Sequence, residues 1–190
     1  EIIITILVIL IFLLHFKSSL IVSLTLPFGI GISFILMKLL GVESNVMSLS
    51  GMVIAIGSMV DMGIIMTENI YSHLTENPGA KAKERIKVII SSAREVGPAI
   101  LIAVLTTVIT FLPVFALEGA EGKLFIPLAW AKTLAMLGSV FVAIILVPSL
   151  CVFFLKGNLK PVEKNKISLF IMEKYKPALN WVLEHQKKFL

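Results

Sequence analysis

Asp61 sits in the middle of a long apolar run, Met47 to Ile70, where a bilayer would leave a carboxylate without water. Holding a charge at the centre of a membrane helix costs roughly 2.5 to 3.5 kcal/mol on insertion scales, and such groups persist mostly in ion pathways and proton relays. The chemistry on offer is reversible protonation; a structural ion pair or hydrogen bond between helices is the competing role. At about 100° per residue, Asp61 shares its helix face with Gly57, Ser58, Ile64, Ile65 and Glu68. The two small residues would let another helix approach closely, and a lysine on that neighbour would pair with Asp61 and be released when it takes a proton. The basic residues inside apolar runs are Lys38 and Lys132, and both are expected to snorkel to the outer boundary rather than supply this partner. Glu68, two turns nearer the cytoplasm, reads as either a proton exit step or an interfacial glutamate at a helix end.

On the opposite face Met52, Met59 and Met66 recur every seven residues, with Met62 between the last two. Thioether sulfur is a soft donor suited to Cu(I) or Ag(I), and it is equally ordinary packing in an apolar core. Met136 and Cys151 lie on a later apolar run and can face this one. A single cysteine excludes an intrachain disulfide, and motifs of the CxxC or HxxxH kind do not occur. His15, His73 and His185 fall near the expected cytoplasmic ends of spans and read as interfacial.

Membrane helices must position these groups. The chain is 57% hydrophobic and only 15% charged, with a mean hydropathy of +0.98, which excludes the soluble globular classes. Apolar runs predict spans at about 2–16, 20–40, 47–72, 98–117 and 125–155, the last broken by Pro148. The expected fold is therefore all-α: a polytopic membrane helix bundle of about five transmembrane helices over residues 1–155, with residues 156–190 an amphipathic cytoplasmic helix leading to the next span. The first run supports only ~22 Å of helix against a hydrocarbon core of ~30 Å. No basic segment precedes it and no small-residue cleavage site follows, as a signal peptide would require. With Lys187-Lys188-Phe189-Leu190 resembling the approach to another span, the expectation is a fragment of a larger polypeptide.

Lysines and arginines concentrate at Lys17, between Lys81 and Arg94, and from Lys156 to Lys188, whereas the intervening turns hold only Lys123. By the positive-inside rule those basic segments are cytoplasmic. The net charge of +5 is thus a topology signal, and no nucleic-acid partner is implied. Lys83 to Val96 places Ile86, Ile89, Ile90, Ala93 and Val96 on one face, predicting a helix lying on the cytoplasmic surface. Lys166 to Glu184 repeats the pattern, with Tyr175 and Trp181 suited to a headgroup interface and Pro177 interrupting it.

The run Asn45-Val46-Met47-Ser48-Leu49-Ser50-Gly51, followed by Ala55 to Asp61 and then Met66-Thr67-Glu68-Asn69, resembles the fourth transmembrane helix of resistance-nodulation-division efflux pumps. The likeness is to their heavy-metal efflux branch, the copper and silver exporters. Glu95-Val96-Gly97-Pro98-Ala99, Leu117 to Phe125, Pro127-Leu128-Ala129 and Lys132-Thr133 agree with it, so the resemblance runs through the whole chain in order. It implies that the spans are the family's second to sixth transmembrane helices in a bacterial inner membrane, surrounded by lipid and by the rest of the transporter polypeptide. It further implies that Asp61 is the proton-relay carboxylate of a proton antiporter rather than an enzyme, paired with a lysine and an acid from helices elsewhere. A homotrimer, a periplasmic membrane-fusion adaptor and an outer-membrane channel complete such a pump.

The resemblance also assigns Met47, Met59, Met66 and Met136 to positions that step a transported Cu(I) or Ag(I) ion through the membrane, with Cys151 standing where copper pumps tend to have another methionine. No permanently bound cofactor is implied. Zinc, cobalt and cadmium pumps of the branch carry a second acid near Gly57 or Ser58, and drug pumps show two adjacent acids where Met62 follows Asp61 here; both differences favour a soft monovalent metal. The rival readings are a pump of the same superfamily for zinc, cobalt, cadmium, drugs or lipids, and a non-transporting sensor or scaffold in which Asp61 is a packing contact.

Overall fold

A computed structural model describes residues 16–77, 79, 81–157, 159, 173, 175–177 and 179–183. The described chain is helical: α1 (Phe16–Leu39), α2 (Val46–Glu76), α3 (Ala82–Phe111), α4 (Gly119–Phe141) and α5 (Val147–Phe154). A 3-10 turn, Leu112–Ala116, extends α3, and a π-helical segment, Val142–Leu146, joins α4 to α5. Four stretches among the described residues are long and apolar enough to cross a membrane: Lys17–Leu39, Val46–Glu76, Ala82–Ala116 and Gly119–Phe154. The expected span at 2–16 lies outside the described residues. Of the predicted tail helix, residues 175–177 and 179–183 are described and helical, with Tyr175 and Trp181 exposed.

Helix α2 begins where its sequence provides a stop for loose donors. The Asn45 side chain accepts from the Ser48 N–H at 2.9 Å while Ser48 Oγ accepts from the Asn45 N–H at 2.8 Å, a reciprocal capping box. Upstream, Gly41 takes a φ of 67°, and the Val42 N–H bonds the Met37 carbonyl at 2.9 Å, closing α1 in the left-handed manner glycine favours.

Three expectations are corrected. The surface helix over Lys83–Val96 and the span from 98 to 117 are one continuous helix, α3, with Pro98 inside it. Proline forfeits one bond to the carbonyl four residues earlier, but within a membrane bundle neighbouring groups and local adjustments accommodate that loss. The fifth span is not broken at Pro148 either. The chain enters the π segment ahead of it, the Val147 N–H reaching the Val142 carbonyl five residues back, so the proline's missing donor is absorbed at the start of α5. The outer turn between α3 and α4, expected over Glu118 to Leu124, shrinks to Leu117 and Glu118.

Helix α2 is the centre of the bundle. It runs antiparallel to α1, where a Cβ on Gly63 would lie 3.0 Å from Thr25 Oγ1 and one on Gly29 3.4 Å from the Met59 methyl. It runs parallel to α4, with Gly51 against the backbone of Leu128 and Ser139 Oγ donating to Met62 Sδ at 3.4 Å. Its contact with α3 is fixed toward the C-terminal end of α2, where Asn69 Nδ2 donates to the Ser92 carbonyl at 3.0 Å and His73 Nε2 lies 3.0 Å from Glu95 Oε2. At that end Arg85 donates to the carbonyls of Leu155 and Gly157 at 2.6 and 3.0 Å, and Lys17 to that of Lys156 at 2.8 Å. Basic side chains on orphan carbonyls satisfy the C-terminal end of the last span and favour its dipole.

Candidate functional site

The two faces of α2 meet different surroundings. Met52, Met59, Met62 and Met66 are buried against α1 and α4, whereas Asp61 and Gly57 are exposed and Ser58 and Glu68 half-buried. The helical projection therefore separates the carboxylate from most of the soft donors, with Met62 reaching both sides.

Asp61 lies on a groove of about 420 Å³ between α2 and α3, floored by Met136 of α4. Ser58 and Ile65 flank it on its own helix, and Ala99, Ala103 and Thr107 form the α3 wall. Small side chains at 99 and 103, one turn apart, keep that wall low. A Cβ on Gly57 would meet nothing within 4 Å, so the small-residue face next to Asp61 is open in this structure. Among the described residues Asp61 has no hydrogen bond or ion pair. The close helix approaches occur at Gly51 and Gly63, on the buried side of α2, which the projection around Asp61 did not single out.

Lys132 departs from expectation. It is 8% exposed rather than snorkelling, and its ammonium sits over the Phe111 ring, 3.6 Å from the centroid. The electron-rich ring face offers a cation partial compensation where a counter-ion is missing. The parallel register of α2 and α4 places Lys132 level with Ala55, about 9 Å outward of Asp61 at 1.5 Å per residue, so its charge is committed elsewhere. Lys38 is exposed in the last turn of α1.

The same register sets Met59 level with Met136, both 2% exposed. Met66 and Cys151 are fully buried in one apolar core, but the offset reaches Ala143 at the level of Met66, with Cys151 two turns further on. Met47 stands in the first turn of α2, half-buried, three turns outward of Met59. Glu68 lies two turns inward of Asp61. Among the described residues there is no cluster of three histidine, cysteine or acidic side chains able to hold a metal ion. The sulfur atoms, by contrast, follow the long axis of α2 and its boundary with α4 and α5.

Comparison with known proteins bears on this arrangement. Residues 1–190 match the AcrB/AcrD/AcrF family. The chain is 41% identical over 185 residues to the cation efflux system protein CusA of Escherichia coli O157:H7, covering 94% of this chain and 18% of that protein. It is 40% identical over 185 residues to the putative cation efflux system protein SilA of Salmonella typhimurium, covering 94% of this chain and again 18% of that protein. The crystal structure of a heavy metal efflux pump superposes with a TM-score of 0.65 at 30% identity, covering 80% of this chain and 14% of that one. The chain thus spans about a fifth of the length of these curated relatives.

Proposed function

This chain belongs to the AcrB/AcrD/AcrF family of membrane transporters, and on that premise we propose that it forms part of the membrane domain of a proton-driven cation efflux pump for Cu(I) or Ag(I). The observation that carries the reading is the two-faced α2. A carboxylate without a partner among the described residues opens onto one side, and a stripe of buried thioethers lines the other. One rigid helix presenting both can couple them, because protonation of Asp61 changes what its face attracts and any movement of α2 carries the sulfur stripe with it. Each proton crossing supplies ~2.3 kcal/mol per 100 mV of membrane potential.

In this reading Asp61 relays the proton and Glu68 is an inward step. Met47, Met59, Met66, Met136 and Cys151 pass the metal, which is cargo rather than a resident cofactor. The level pairing of Met59 with Met136 supports a two-sulfur station, the coordination a soft monovalent ion accepts readily. The lysine that answers Asp61, the trimer, the adaptor and the outer-membrane channel belong to the same proposal, as does placement in the bacterial inner membrane.

The natural gene encoding this chain, expressed with its adaptor and channel in a bacterium stripped of metal exporters, tests the cargo. Growth on silver and copper should rise, with zinc, cadmium and a cationic dye unchanged. Met59→Leu keeps apolar volume and removes the sulfur, and should lower silver tolerance severalfold at equal membrane abundance. Tolerance to zinc or dye alone, or full silver tolerance in the leucine variant, would retire the methionine pathway.

A further inference from the structure

A second groove, of about 390 Å³, lies between α3 and the π segment with α5, remote from Asp61. Arg94 stands in its α3 wall, one turn beyond Ile90. Its walls are otherwise apolar, from Ile90 and Leu101 on α3 to Ile144 and Pro148 opposite, and among the described residues no acidic side chain lines it. Gly97 borders open space in it: a Cβ there would meet nothing within 4 Å.

The position of Arg94 along the helix is informative. The apolar stretch from Val96 to Leu117 is 22 residues, about 33 Å of helix, enough for the hydrocarbon core, so Arg94 sits at its cytoplasmic edge. Among the described residues Arg94 has no ion pair, and the neighbouring Glu95 is turned to His73 on α2. Lys87, two turns nearer the cytoplasm on the same face of α3, is exposed and adds a second positive charge. From Arg94 toward Leu101, the groove offers a guanidinium at headgroup depth and then a hydrocarbon wall. That is the order of charge and chain in a phospholipid, and guanidinium matches phosphate oxygens in bidentate geometry.

We propose that this groove is a binding site for an anionic phospholipid of the cytoplasmic leaflet, its phosphate on Arg94 and one acyl chain lying over Gly97 toward Leu101. The test uses the protein produced from the natural gene, with benzoylphenylalanine at position 101, in membranes of mixed phosphatidylethanolamine and phosphatidylglycerol. After irradiation, phosphatidylglycerol should be enriched in the adducts over its share of the membrane. Arg94→Gln should reduce that enrichment about fivefold, the factor expected for one basic contact to an anionic headgroup, and Arg94→Lys should restore most of it. Gly97→Leu projects a bulky side chain from a position whose Cβ would meet nothing within 4 Å, and should abolish the enrichment while the protein remains monodisperse. Adducts in proportion to bulk lipid, or enrichment indifferent to Arg94 and Gly97, would overturn the site. Adducts to polypeptide would overturn it as well, by showing that protein covers this face.

Discussion

Asp61→Asn should reduce silver and copper tolerance to that of a host lacking the gene, with membrane abundance unchanged. Asparagine is close in size and keeps a polar side chain on the open groove, so packing around α2 is preserved while the titratable proton is lost. No charge then develops to attract or release a neighbouring cation, and the potential across the membrane has nothing at this level of α2 to act upon. Asp61→Glu should retain part of the activity, since the chemistry survives with its position shifted. Tolerance unaffected by Asp61→Asn would remove the relay, whereas loss of membrane abundance in the Asn form would make Asp61 a folding contact, as the sensor or scaffold reading requires.

The second large effect is predicted on the other side of the same helix. Gly51 lies against the carbonyl of Leu128, closer than a Cβ could be accommodated, and that contact belongs to the interface of α2 with α4. Because the obstruction is backbone rather than a flexible side chain, Gly51→Ala must separate the helices, at the ~1 to 3 kcal/mol typical of overpacking. A lower melting temperature in detergent and reduced membrane abundance are expected. Gly57→Ala, under two turns away on the open face, meets nothing among the described residues and should leave the contact of α2 with α4 intact. Normal stability of Gly51→Ala would contradict the packing described for α2 and α4. A loss confined to Gly57→Ala would instead reveal a further helix seated beside Asp61.

The contrast between those glycines shows what the sequence could and could not convey. Hydropathy located the apolar runs, and the helical projection correctly parted Asp61 from the methionine stripe, because both depend on spacing within one helix. Which small residues touch a neighbour depends on how helices cross, and spacing within α2 is silent on that; hence attention fell on Gly57 and Ser58 while the contacts lie at Gly51 and Gly63. Lys132 misled for a similar reason. A lysine near a span's end normally reaches for water, and only the fold brings the Phe111 ring over it. The change from an amphipathic pattern before Val96 to an apolar run after Gly97 predicts two elements, but a bilayer keeps the backbone helical through Pro98 because every unsatisfied group there is costly. The parallel register of α2 and α4 sets Met59 level with Met136, a juxtaposition that local composition does not convey.

The π segment ahead of Pro148 has a consequence for the thiol that follows it. Each residue advances an α-helix by about 100°, so one additional residue in a turn resets the angular phase of everything downstream. Extrapolating the buried face of α4 as uninterrupted α-helix would point Ser149 and Phe153 inward and Val147 and Cys151 away. The reverse is found: Phe153 is 75% exposed and Cys151 fully buried. Cys151 therefore joins the sulfur-lined interior through a backbone irregularity rather than through its place in the sequence repeat. Closing the segment as regular α-helix at its full length would rotate it out toward lipid and put a phenylalanine in its stead, whereas deleting a single residue between 142 and 146 would remove the irregularity and leave Cys151 facing inward.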